Sequence, residues 1–123
     1  MSDTNPDLDL TFLYEIADGS DEFIVESVRI FLEQSPLILQ QLSDGINTGD
    51  WKAAASAAHS IKGNLGFFSM LNSQALLIEI EDACKAGGPN PNGIKSKFDV
   101  LDEMLNQSYV KLREIKADKE ANL

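Results

Sequence analysis

DWKAAASAAHSIKGNLGFF, residues 50–68, decides the fold. Within it Trp51, Ala54, Ala58, Ile61, Leu65 and Phe68 recur at spacings of 3, 4, 3, 4 and 3. That alternation predicts one apolar stripe on an α-helix, which turns about 100° per residue. Asp50 suits the N-cap position, and the helix is expected to run to about Phe68. The same segment holds His59, the only histidine in 123 residues. On the helical wheel His59 lies roughly 110–120° from the centre of the stripe, at the flank of the buried face. Lys62 and Gly63, three and four residues on, share that flank. Its other neighbours, Ala55, Ser56 and Gly66, are small.

Working outward, the remaining patterns are helical too. A short first helix fits Asp9 or Thr11 through Ala17, with Leu10, Leu13 and Ile16 inward and Asp18-Gly19-Ser20 ending it. Ser20 caps the next helix, and Asp21 and Glu22 suit its positive N-terminal end. This second helix spans roughly Asp21 to Ile46 on Ile24, Val28, Phe31, Ser35, Ile38, Leu42 and Ile46. Pro36 removes a backbone bond there, but the stripe continues in phase across it, so one kinked helix is expected. A fourth helix, about Leu71 to Ala86, buries Leu76, Leu77, Ile80, Ala83 and Cys84, with Ser69 or Asn72 as cap. After the turn-rich Gly87–Gly93, a last helix carries Ile94, Phe98, Leu101, Leu105, Tyr109 and Leu112 and frays from Lys116. No strand pattern or internal repeat appears. The expected fold is all-α: an antiparallel four-helix bundle with an additional short N-terminal helix. Residues 1–7 are read as a flexible leader, 8–117 as the domain and 118–123 as a frayed tail.

Composition narrows the function. Twenty acidic and ten basic residues give a net charge of −10. No basic stripe offsets it, so nucleic acid and anionic membrane surfaces are poor partners. Cys84 is alone, which leaves no disulfide framework and no cysteine metal site. Asp3, Asp7 and Asp9 occupy the place of a basic signal-peptide region, and no apolar run approaches a membrane span. A cytoplasmic, free-standing protein is expected.

The histidine flank suits phosphoryl chemistry better than other histidine chemistry. A metal site needs more ligands than one imidazole. A serine hydrolase needs a positioned nucleophile and an oxyanion hole; Ser56 and Ser60 are near His59, but nothing resembles a nucleophile turn. A phosphate-cradling glycine loop is also absent. An exposed neutral imidazole can take a phosphoryl group, and Lys62 can neutralise the arriving charge. Gly63 and Gly66 each cost about 1 kcal/mol in a helix body. Close helix packing, or a helix that ends near Gly63, is one explanation; clearance for another protein surface is the other. With no nucleotide site, the donor would be a protein. The competing reading is a non-catalytic helical adaptor that binds a signalling partner.

The motif Ala58-His59-Ser60-Ile61-Lys62-Gly63 resembles the His-x-x-Lys-Gly of histidine-containing phosphotransfer (HPt) domains, which serve multistep two-component relays. The likeness extends over most of the chain. It takes in Leu13–Phe23, Phe31–Pro36, Gly49-Asp50-Trp51 and Glu79–Gly87. The resemblance implies that His59 accepts a phosphoryl group from one receiver-domain aspartate and passes it to another. It implies that Lys62 pairs with the phosphoryl oxygens, that Gly63 leaves room for the receiver and that Gln34 stands beside the ring. Phe67, near the histidine face, joins Gly66 and Ala55 as expected docking surface. No cofactor is implied in this chain, the divalent metal belonging to the partner receiver. The implied partners are receiver domains and a hybrid sensor kinase, met as a monomer. Leu65, Phe67 and Ser69 depart from the family's habit, which favours small residues at the first two and Gly at the third.

Overall fold

The computed structural model describes residues 7–123; the expected leader therefore falls outside it except for Asp7. Five helices follow in order: α1 Thr11–Ala17, α2 Asp21–Thr48, α3 Trp51–Phe67, α4 Leu71–Lys85 and α5 Pro91–Glu120. No strand occurs among the described residues. α3 packs on α2 and α4, and α5 closes the ring against α2 and α4. The four long helices thus form the antiparallel bundle that the stripes predict, with α2 diagonal to α4 and α3 diagonal to α5.

Local chemistry sets the boundaries. The Ser20 hydroxyl accepts from the Phe23 N–H at 3.1 Å, and the Asp50 carboxylate accepts from the Ala53 N–H at 3.1 Å. α2 runs unbroken through Pro36 and ends where Gly49 turns left-handed at φ 75°. The connector to α3 is short, and Gly45 backs directly onto Ala54: a Cβ there would meet the Ala54 nitrogen at 2.9 Å. Ser69, between α3 and α4, also takes a left-handed φ of 52°. Only glycine adopts that region without penalty, so Ser69 holds a strained backbone at this turn.

Four expectations need correction. Ile16 is exposed and Ala17 is buried in its place, because α1 packs on α2 through the Leu13–Ala17 edge. Neither Ser69 nor Asn72 caps α4. The Asp7 carboxylate does so from outside, accepting from the Asn72 N–H at 3.2 Å and the Ser73 N–H at 2.6 Å. α5 remains helical to Glu120 rather than fraying from Lys116. Its last turns are tied back, Lys119 lying 3.3 Å from Asp21 and over the Tyr14 ring. Finally, the apolar face of α4 contains a charged residue, Glu81, buried to 1 %.

The core runs the length of the bundle. Leu42, Ala58, Ile61, Leu65, Leu77, Ile80, Leu101 and Leu105 are fully buried. The aromatic end of the core joins Phe31, Phe68 and Tyr109, while Phe12 of α1 meets Phe67 edge-on. α2 and α5 are about 40 Å long at 1.5 Å per residue, far longer than α3 or α4. α1 packs against α2, and its Phe12 reaches the end of α3, so the N-terminal segment covers the end of α2 and α5 that α3 and α4 leave bare. α3 is held between α2 and α4, and its outward flank carries His59.

Candidate functional site

The small residues of α3 let it sink into the bundle. Ala54, Ala57 and Ala58 are all buried, and His59 stands at the edge with its side chain 68 % exposed. The ring does not hang free. Its Nδ1 lies 3.1 Å from Oε2 of Glu81 on α4. Lys62 Nζ donates to the other carboxylate oxygen at 3.0 Å. Lys85, one turn beyond Glu81 on α4, places its Nζ 2.9 Å from Oε2. One buried carboxylate therefore gathers an imidazole and two ammoniums.

The charge state of Glu81 follows from these contacts. Burial works against its charge, but hydrogen bonds from Lys85, Lys62 and His59, together with the Lys62 charge, outweigh that. They hold the carboxyl at about 2, below the usual 4.5. The hydrogen bond to Glu81 also lifts the Lys85 ammonium above its usual range. An ionised carboxylate can only accept hydrogen bonds. Nδ1 of His59 must then be the donor, and it carries the ring's proton when the imidazole is neutral. Nε2 is left with its lone pair, on the side of the ring away from Glu81. The hydrogen bond made by one ring nitrogen fixes the role of the other.

The remaining expected site residues separate into distinct roles. Gly63 is exposed, and a Cβ there would meet nothing within 4 Å, so the surface beside His59 is open. Gly66 serves packing instead: a Cβ would meet Nε2 of Gln74 at 2.8 Å, and that amide donates to the Lys62 carbonyl at 3.1 Å. Ala55 is 8 % exposed and belongs to the core, because the buried face of α3 is wider than its central stripe. It offers a partner almost no surface. Gln34 is exposed and lines a shallow groove between α2 and α3 with Ile30, Asn64 and Phe67. No side-chain hydrogen bond joins it to His59 among the described residues. The Ser60 hydroxyl donates to the Ala57 carbonyl at 2.8 Å and is spent on its own helix.

Glu81 is the site residue that the stripes miss. It lies four residues after Leu77 and three before Cys84, in the middle of an apolar face. An acid in that place was the available signal. Among the described residues no group of three or more His, Cys, Asp or Glu side chains could hold a metal ion. No helix there is long and apolar enough to cross a membrane.

The sequence profile of the Hpt domain family matches residues 26–109, which include the histidine helix, Lys62 and Glu81. The chain belongs to the Hpt domain family. It is a histidine phosphotransfer protein of two-component phosphorelays. No curated protein matches it in sequence. Among solved structures it is similar to histidine-containing phosphotransfer protein B (HptB) from Pseudomonas aeruginosa PAO1. The TM-score is 0.81 at 19 % identity, over 94 % of this chain and 98 % of that one. At that identity the likeness speaks for the fold, and the Hpt bundle is the fold seen here.

Proposed function

We propose that His59 is the phosphoryl carrier and that Nε2 is the reacting atom. The observation that carries this is the hydrogen bond from Nδ1 to an ionised, buried Glu81. It aims a lone pair outward before any partner arrives. In the forward step the Nε2 lone pair forms a bond to phosphorus of an aspartyl phosphate on a docked receiver. The phosphorus–oxygen bond breaks, and its electron pair returns to the aspartate as carboxylate. The ring gains positive charge while keeping its Nδ1 proton, and Glu81 faces that charge directly. Onward transfer to a second receiver is the same step reversed. Positioning and electrostatics supply most of the catalysis in such reactions.

Lys62 shares the face of His59 and is within reach of the phosphoryl oxygens, so it pairs with them in the loaded state. Gly63 gives the receiver clearance. Gln34 and Phe67 line the groove against which the receiver rests. The receiver contributes the divalent metal. The protein works as a monomer in the cytoplasm, supplied through a hybrid sensor kinase.

The test is phosphotransfer from a labelled, phosphorylated receiver. The wild type should gain acid-labile, base-stable label and His59→Gln should gain none. Equal labelling of the variant would move the site elsewhere. An unlabelled wild type across a panel of receivers would favour the adaptor reading.

A further inference from the structure

Glu81 has more positive charge around it than it needs. Lys62 and Lys85 both bond to it, Lys62 on Oε1 and Lys85 on Oε2. One carboxylate balances one ammonium. The two lysines differ in placement. Lys62 stands on α3, three residues from His59, on the face where the phosphoryl group would sit. Lys85 stands on α4, four residues from Glu81, and shares Oε2 with Nδ1 of His59. Its side chain is 58 % exposed and has no part in the core.

A phosphoryl group on Nε2 brings two negative charges to the His59 flank, and Lys62 is then wanted in two places. If Lys62 were the only ammonium on Glu81, its departure would leave a buried carboxylate with the ring alone. Buried charges that lose a partner are strongly penalised, so Glu81 would compete with the phosphoryl group for Lys62. Lys85 removes that competition.

We propose that Lys85 is a positioning residue: it keeps Glu81 charged and seated against Nδ1 of His59 while Lys62 turns from Glu81 to the phosphoryl group. This rests on His59 being the carrier. Lys85 touches neither the phosphoryl group nor the reacting nitrogen; it acts through Glu81 and frees Lys62.

The role can be tested without a receiver, using phosphoramidate as donor. The Nε2 lone pair forms the nitrogen–phosphorus bond, the bond from phosphorus to the donor nitrogen breaks, and ammonia leaves. Loading rate and phosphohistidine half-life are followed by phosphorus NMR. The proteins are wild type, His59→Gln, Lys85→Met, Lys62→Met, the Lys85→Met/Lys62→Met double variant and Lys85→Arg. Lys85→Met should slow loading about fivefold when Lys62 is present, and by more in the Lys62→Met background, where Glu81 is then left with no ammonium at all. Lys85→Arg should restore loading to within about twofold of wild type. Nitrogen NMR of the resting ring should still show the proton on Nδ1 in Lys85→Met, because Lys62 continues to hold Glu81. Equal slowing in both backgrounds would overturn the proposal, as would no slowing in either. Circular dichroism guards against a folding defect, which the exposure of Lys85 makes no reason to expect. If His59→Gln loads as fast as wild type, the carrier reading itself falls. If wild type loads and Lys85→Met loads equally fast, only the role of Lys85 falls.

Discussion

At the scale of single residues, Glu81 orients the ring of the proposed carrier and supplies part of the stability. Its carboxyl is depressed on folding, from 4.5 to about 2. A carboxylate depressed in this way stabilises the fold fully above its unfolded value. That contribution is lost as pH falls from about 4.5 through about 2, and at neutral pH it is worth about 3 kcal/mol. Urea unfolding of wild type and Glu81→Gln should therefore differ most at pH 7, with the gap closing between pH 4.5 and 2. A gap that stays constant over that window would mean that Glu81 contributes by shape and not by charge. The residue was hard to see in the sequence because hydrophobic periodicity counts an acid as solvent-facing. Its partners explain the exception: a buried charge is tolerated when it is paired and fully hydrogen-bonded. His59 and Lys62 were legible, since their spacing on one flank needs only the helix. That Lys62 spans to α4 was not, because the reach crosses between helices.

At the scale of elements, the glycines of α2 and α3 separate packing from clearance. Gly45 faces Ala54 so closely that an added methyl group would contact backbone at 2.9 Å. Gly45→Ala should cost about 1–3 kcal/mol by urea unfolding, the usual penalty of overpacking. Gly63→Ala meets nothing within 4 Å. It should gain up to about 1 kcal/mol from helix propensity, yet transfer from a receiver more slowly, because the methyl group stands beside the ring. A variant that is more stable and equally fast would remove Gly63 from the docking surface. The sequence pattern marked Gly63 and Gly66 alike, as costs awaiting a reason. Only the neighbour across the groove distinguishes them: open space at one, Gln74 at the other. The helices themselves were readable because their stripes hold phase over many turns. Their ends were less so, since Asp7 caps α4 from 65 residues away in sequence.

At the scale of the whole molecule, charge is unevenly placed. The chain carries −10, yet Trp51–Phe67 contains Lys52 and Lys62 and no acidic residue. The helix that presents His59 is thus the least repulsive surface for an arriving phosphoryl group on a body that otherwise repels anions. Concentrating acids on the other helices has a thermodynamic consequence, because net charge of one sign works against compactness. Salt screens this repulsion over a Debye length of about 10 Å at 0.1 M. It also weakens exposed pairs such as Arg29 with Glu26 and Glu33, but pairs this exposed contribute little. The buried Glu81 cluster is screened least. Raising sodium chloride from about 20 mM to about 200 mM at neutral pH should therefore raise the urea midpoint, since the repulsion it relieves reaches across the surface. A midpoint that falls with salt would show that the surface ion pairs, and not the −10 background, dominate the electrostatics of folding.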